Sequence, residues 1–390
     1  MNQKHILTAA YYLAFILLGL TIAAEGPTLL KLAEHTSSAL DQISLVFVFS
    51  SLGYLAGSYT SGRIYDRVSG HQFMAGMLTL LGITAALVPV TTSLQALLLI
   101  VLVLGLAKGA LDVGCNTLLL WVHNEKSGPF INGLHAFFGA GAFVAPLVFA
   151  RVIKATGDIH WVFWSFAIAA LPIALLIWNL PSPQARAVPD EHRERPLPVI
   201  PLAIMVLCFA LYVGSEVGYG NWIYTYAFKL GFGDEITSAY FTSAFWGSFT
   251  LGRLFGVWIS TRARPITILY SDLAGCLASL GLILIWRDSS AILWVGSILL
   301  GVSSASIFPT LISLADEHMH VTGTMTGWFL VGASIGGMLM PWTIGQAFVR
   351  IGAGAMVTIV FITVIFNLLA LVVFTKTPVS PLQKGIFTAK

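Results

Sequence analysis

Near its middle an apolar chain breaks for a largely polar run, Pro181 to Leu197 (PSPQARAVPDEHRERPL), and then resumes. A helix needs about 20 apolar residues to cross a bilayer, and six stretches on each side of the break are long enough. They are placed at 6–30, 43–64, 72–92, 94–121, 130–150 and 160–180, then at 198–223, 237–260, 266–286, 290–314, 323–348 and 353–375. The break therefore divides the chain into an N-terminal six-helix bundle (1–180), a linker (181–197) and a C-terminal six-helix bundle (198–390). The expected fold is an all-α polytopic membrane protein of twelve transmembrane helices in two halves.

Composition closes the water-soluble alternative. Only 9% of the 390 residues are charged, 57% are hydrophobic and the mean hydropathy is +0.86, whereas a soluble domain carries about 25% charged residues. The side richer in Lys and Arg faces the cytoplasm. With both termini inside, twelve of these residues fall in cytoplasmic segments and six in outer ones, while Lys108 and Arg253 stay within spans. The expected topology is N-in and C-in. The first span follows Lys4 and superficially resembles a signal peptide, but its apolar run is longer than a typical signal core and is read as uncleaved. Cys115, Cys208 and Cys276 all lie within spans and imply no disulfide framework. None of the seven asparagines begins an N-x-Ser/Thr sequon, and the outer loops are short. Both features fit a prokaryotic inner (plasma) membrane better than a eukaryotic cell surface.

Two blocks of six spans joined by a charged cytoplasmic linker form the layout of a secondary transporter built from repeats. An offset of 194 lays Gly53 on Gly247 and Gly62 on Gly256, and an offset of 195 lays Gly141 on Gly336 and Pro146 on Pro341. A duplicated unit places a binding site between the halves at mid-membrane depth. Glycines cluster at Gly53 and Gly57, at Gly247, Gly252 and Gly256, and from Gly332 to Gly337. Small residues at such spacing let helix backbones approach closely, serving either tight packing or the sliding of one helix face on another.

Gly62-Arg-Ile-Tyr-Asp66-Arg67, at the cytoplasmic end of the second span, resembles the G-x-x-x-D-R signature of the major facilitator superfamily. Ser69-Gly70-His71 stands where that family continues with Gly and two basic residues, and the second-half copy, from Gly256 to Arg262, has no aspartate. The resemblance implies a gating role for Asp66 and Arg67, latching the cytoplasmic side while the outside is open. Asn132-Gly-Leu-His135 in the fifth span, Phe308-Pro309-Thr310 in the tenth and Gly336-Gly337 with Pro341 in the eleventh resemble the fucose–proton symporter family. Tyr212-Val-Gly-Ser-Glu216, followed by Asn221-Trp222, is similar to the seventh helix of its sodium-dependent glucose transporter-like relatives. These likenesses imply a small-molecule substrate, a sugar, moved with protons or sodium across a lipid bilayer by a monomer that uses no cofactor and binds no nucleic acid.

Six ionisable groups inside spans carry the functional argument: Glu25, Lys108, Asp112, His135, Glu216 and Arg253. A charge at mid-bilayer costs about 2.5–3.5 kcal/mol on insertion scales, so it faces a cavity or a partner. Lys108, Asp112 and Asn116 are spaced by four and share one helix face. A Lys108–Asp112 pair on that helix is one reading, and substrate chemistry is the other. The fucose–proton symporter family carries an acidic residue in each of its first and fourth helices, one taking the proton and one touching sugar. Glu25 and Asp112 match them by helix and depth. Burial disfavours a charged carboxyl, whereas a nearby ammonium favours it. Asp112, one turn from Lys108, is thus expected to stay ionised and, with Asn116, to meet substrate hydroxyls. Glu25, with no basic residue within a turn, is expected to carry the proton. Lys108 implies either an anionic substrate or a built-in counter-ion.

Glu216 shares its helix face with Tyr212 and Tyr219, with Asn221 and Trp222 just beyond. Carboxylates, amides and aromatic rings together suit a sugar, although an indole near a membrane boundary is also an ordinary anchor. Arg253 is expected to gate or to pair between helices. His135 is a cavity residue or a hydrogen-bonded structural histidine, and Gln346 and Gln42 are candidate cavity amides. Asp316-Glu-His-Met-His320 has metal-like spacing, yet is read as a solvated cytoplasmic loop with no metal. No nucleophile–base constellation points to an enzyme. Transport of another substrate (organic anion, lipid or drug) and a non-transporting membrane sensor are the competing readings.

Overall fold

The computed structural model describes residues 3–183, 197–319 and 321–377. Most of the linker, His320 and the residues after Thr377 lie outside that range, so the expectations placed on them are not developed further. The N-terminal half contains α1 (Gln3–Ala23), α2 (Glu25–His35), α3 (Leu40–Ile43), α4 (Leu45–Tyr65), α5 (Gly70–Leu87), α6 (Leu94–His123), α7 (Gly128–Thr156) and α8 (His160–Trp178). The C-terminal half contains α9 (Val199–Lys229), α10 (Glu235–Ser260), α11 (Pro265–Ile285), α12 (Ser290–Ser304), α13 (Ile307–Met319), α14 (Gly323–Arg350) and α15 (Ala355–Lys376). Among the described residues there is no strand.

Eleven of the spans formed by these helices are long and apolar enough to cross a membrane. The twelfth, α10, has 26 residues but is diluted by Thr, Ser and Gly and by Arg253. Two spans are broken where the sequence suggests continuous helices. The first runs from Gln3 to His35 with an interruption at Ala24, and the tenth from Ser290 to Met319 with one at Ala305–Ser306. Proline explains both. Pro27 has no N–H for the carbonyl of Ala23, and Pro309 has none for Ala305, so each helix loses a bond four residues upstream. The Asp316–His318 run belongs to the last turn of α13 rather than to a loop, with His318 Nδ1 bonded to the Leu314 carbonyl at 3.1 Å. No grouping of three or more metal-binding side chains occurs among the described residues.

Helix pairing repeats between the halves. Within the first, α1 packs on α7, α4 on α6 and α5 on α8; within the second, α9 packs on α14, α10 on α12 and α11 on α15. Span by span, these are the same three pairs. Glycine sets the closest approaches: a Cβ on Gly53 would stand 1.9 Å from the Leu102 carbonyl oxygen, and one on Gly105 2.1 Å from that of Ser50. Backbone atoms cannot yield as a side chain can, so Gly105→Val is expected to force α4 and α6 apart at a cost above the usual 1–3 kcal/mol of overpacking, roughly. Gel filtration in detergent should then show little monodisperse protein. Gly76→Ala is the control, because a Cβ there meets nothing within 4 Å; equal loss in both variants would overturn the argument.

The halves meet from the membrane centre toward the end opposite the termini, through α7 with α10, α4 and α3 with α14, and α2 with α9. Lys31 pairs with Glu235 at 3.3 Å, and Gln346 Nε2 donates to the Asp41 carbonyl at 2.9 Å. Gly26 lies so close to α9 that a Cβ would stand 2.5 Å from the Asn221 carbonyl oxygen. Among the described residues, the Lys31–Glu235 ion pair and the Gln346–Asp41 hydrogen bond join the halves on the outer side.

Candidate functional site

The break after Ala23 positions the first side chain of the site. It begins a new helix at Glu25, in the outer part of the first span, and turns that carboxylate toward α4 and α6. Lys108 crosses from α6 to meet it, with Nζ 2.6 Å from Glu25 Oε1 and 3.4 Å from the Thr21 carbonyl. Ser50 Oγ donates to the same carboxylate oxygen at 2.8 Å. Lys108 is 1% exposed and the Glu25 side chain 17%, so this ion pair is nearly sealed off.

The Lys108–Asp112 pair that spacing along α6 allows gives way to one between helices. Lys108 serves Glu25, and among the described residues no salt bridge involves Asp112. Asp112 is instead held by hydrogen bonds from neutral groups: the Tyr54 hydroxyl from α4, and Asn116 Nδ2 from the next turn of α6 at 2.9 Å. Asn116 Nδ2 also lies 3.0 Å from the Asp112 main-chain carbonyl. Asp112, Tyr54 and Asn116 are all half-buried.

The C-terminal half supplies a second polar group. Glu216, near the middle of α9, and Arg253, toward the C-terminal end of α10, are half-buried and interact electrostatically, without forming a salt bridge among the described residues. The Arg253 guanidinium stacks over Phe249 at 4.5 Å, and its Nε is buried with no hydrogen-bond partner. His135, half-buried on α7, packs edge-on against Phe15 at 5.6 Å and faces the charge of Arg253 across the boundary between the halves. These groups offer carboxylate, amide, hydroxyl, imidazole and guanidinium functions within the spans.

Other expected cavity residues belong to the outer seam. Trp222 is fully buried, donates Nε1–H to the Pro341 carbonyl at 2.8 Å and stacks on Phe348 at 5.2 Å. Asn221 is buried against Gly26, and Gln346 bridges to Asp41. Gln42 accepts from the Ala39 N–H at 3.1 Å and so caps α3. These contacts hold the outer face together and do not open on the central groups. Asp66 and Arg67 are exposed at the end of α4 and form no ion pair among the described residues.

Sequence reasoning missed Ser50 and Tyr54, which hold the two N-terminal carboxylates, and also Asp272 and Asn367. Asp272 on α11 accepts from Ser306 Oγ at 2.5 Å, at the break in the tenth span. Asn367 on α15 is 2% exposed, and its Oδ1 has no partner. A carboxylate or amide inside a span is itself a signal, and both were legible on that ground.

The family model described as Major Facilitator Superfamily matches residues 11–341. The chain is 29% identical to Sodium-dependent glucose transporter 1 of Xenopus laevis over 360 residues, covering 84% of this chain and 72% of that protein. It is 26% identical to Sodium-dependent glucose transporter 1A of Mus musculus (86% and 88% covered) and 25% identical to Major facilitator superfamily domain-containing protein 4A of Homo sapiens (87% and 86%). In fold it resembles the crystal structure of the nucleoside transporter NupG, with TM-score 0.73 at 17% identity over 96% of this chain and 99% of that one. It also resembles a bacterial homolog of the human lysosomal transporter Spinster, solved inward-facing and occupied, with TM-score 0.71 at 14% identity over 95% of each.

Proposed function

Because the chain belongs to the Major Facilitator Superfamily, and so is a membrane transporter rather than an enzyme, we propose that it carries a monosaccharide together with protons by alternating access. The observation that carries this reading is the Asp112 group. A half-buried carboxyl held only by Tyr54 and Asn116 can gain and lose a proton without breaking an ion pair. When Asp112 is protonated, the Tyr54 hydroxyl can turn from donor to acceptor, so the network survives both states.

Substrate contact falls to the groups facing the centre: Asp112, Asn116, His135 and Glu216, with Arg253 at the boundary. Sugar hydroxyls both donate and accept, and this set offers both functions. Glu25 and Lys108 neutralise each other at 2.6 Å, which removes the free cation that spoke for an anionic substrate. Asp66 and Arg67 would latch the cytoplasmic side while the outside is open. Short outer loops and the absence of sequons support a prokaryotic inner membrane.

Sodium in place of the proton is the second reading, favoured by the printed names of the Xenopus laevis and Mus musculus relatives. The test is reconstitution in sealed proteoliposomes, recording internal pH while a monosaccharide panel is added without sodium. Proton entry driven by one sugar is the expected result. Flux of a sugar only when sodium is supplied would replace the proton with sodium, and absence of any sugar flux under either ion would overturn the reading.

A further inference from the structure

Beside Glu216, the C-terminal half holds a small cavity among its own helices. It is lined by Tyr212, Ser215 and Glu216 of α9, Ser304 of α12 and Asn367 of α15, and the remainder of its wall is apolar apart from Cys276. It has room for about one water-sized occupant.

The polar atoms around it are short of donors. Ser215 Oγ donates to the Tyr212 carbonyl at 2.7 Å, Ser304 Oγ to the Leu300 carbonyl at 2.7 Å, and the Tyr212 hydroxyl to the Ser304 carbonyl at 3.0 Å. The two serine hydroxyls have therefore directed their protons to the backbone, and the Tyr212 hydroxyl lies within reach of both the Ser304 carbonyl and the Glu216 carboxylate. Asn367 Oδ1 is an acceptor with no partner in a residue 2% exposed. A buried amide oxygen left without a donor costs free energy unless something occupies the space before it. Glu216 adds a carboxylate to the same wall.

Charge points the same way. Away from the helix ends, the C-terminal spans hold two carboxyl groups, Glu216 and Asp272, against one guanidinium, Arg253. Hard cations take oxygen ligands of this kind, and a single carboxylate tempered by a neighbouring Arg253 suits a monovalent rather than a divalent ion.

We propose that Glu216 and Asn367, with the hydroxyl oxygens of Ser215 and Ser304, form a sodium-sized monovalent cation site inside the C-terminal half. The site is separate from Asp112, and it stands whether or not Asp112 carries a proton. Asn367 supplies the amide oxygen and Glu216 the charge. Because α9 and α15 both contribute, an ion here bridges two helices that pack on each other.

The purified full chain in detergent is tested in sodium chloride, potassium chloride and choline chloride at equal ionic strength, reading thermal unfolding and binding of radiolabelled sodium. Sodium is expected to raise Tm by a few degrees over choline, with saturable binding. Both effects should be lost in Glu216→Gln and Asn367→Leu, be weakened in Ser215→Ala, and persist in Asp112→Asn. Should Asn367→Leu fail to fold, Ser215→Ala and the direct binding measurement on the unaltered protein still decide the matter. Absence of sodium-specific binding overturns the site, as does binding that survives Glu216→Gln or disappears in Asp112→Asn. Sugar flux is not read in this experiment, so failure here leaves the proton-symport reading to its own test.

Discussion

Replacing Lys108 by alanine is expected to destabilise the protein by about 3–5 kcal/mol, the loss seen when one member of a buried ion pair is removed. The reason is the environment of Glu25. Its carboxylate receives Lys108 Nζ at 2.6 Å and Ser50 Oγ at 2.8 Å, and its side chain is 17% exposed. Without the ammonium, a nearly buried charge keeps one neutral donor. Glu25→Gln should be damaging for the converse reason, since Lys108 is 1% exposed and would retain the Thr21 carbonyl at 3.4 Å among its acceptors. The double variant Glu25→Gln/Lys108→Met should regain most of the stability, because replacing both charges removes the desolvation of each. Thermal unfolding of the four proteins in detergent measures the coupling directly. Strictly additive losses would sink the pairing. The cycle also addresses substrate class: if the double variant still moves a neutral sugar, Lys108 is a counter-ion inside the N-terminal half rather than a binding group.

Eleven of the spans were legible from hydropathy, and the pairing of helices follows from glycines that the sequence places in register. What misled was treating each helix alone. Lys108 and Asp112 are one turn apart on α6, and same-helix spacing offers them to each other, but the break at Ala24 swings Glu25 in from another helix and takes the ammonium. Pro27 was the available signal for that break, since an interior proline removes a helical bond. The residues after Glu216 illustrate a second limit. Asn221 and Trp222 follow it by one to two turns, yet α9 turns this stretch toward α2 and α14, so they close the outer seam. Spacing along a helix fixes which residues share a face, and only the neighbouring helices decide whether that face meets a cavity or a seam. Ser50 and Tyr54 were invisible for a related cause: a serine or tyrosine within an apolar span carries no mark until the carboxylate it serves is known.

Asp112→Asn is expected to abolish sugar accumulation driven by a proton gradient while leaving counterflow exchange of the same sugar. Asparagine keeps the size of the side chain and its bonds with Tyr54 and Asn116, but it cannot change charge. A carrier fixed in the neutral state still rocks between its two openings; it no longer links that motion to a proton. Uptake should therefore stop at the external concentration, however large the imposed pH difference. Glu25→Gln separates the two N-terminal carboxylates. If Glu25 serves as partner to Lys108, its loss lowers stability and transport in every mode alike, whereas loss of the proton-accepting carboxyl divides coupled uptake from exchange. Tyr54→Phe adds a finer measure. Removing the hydroxyl takes one hydrogen bond from ionised Asp112, an effect of about 1.5–3 kcal/mol for a bond to a charged group. The pH at which coupled uptake is half-maximal should then move upward by about one unit or more. Accumulation against a gradient by Asp112→Asn, driven by pH alone, would transfer the proton to another group, and Glu216 is then the carboxyl to test, since it too has no salt-bridge partner among the described residues.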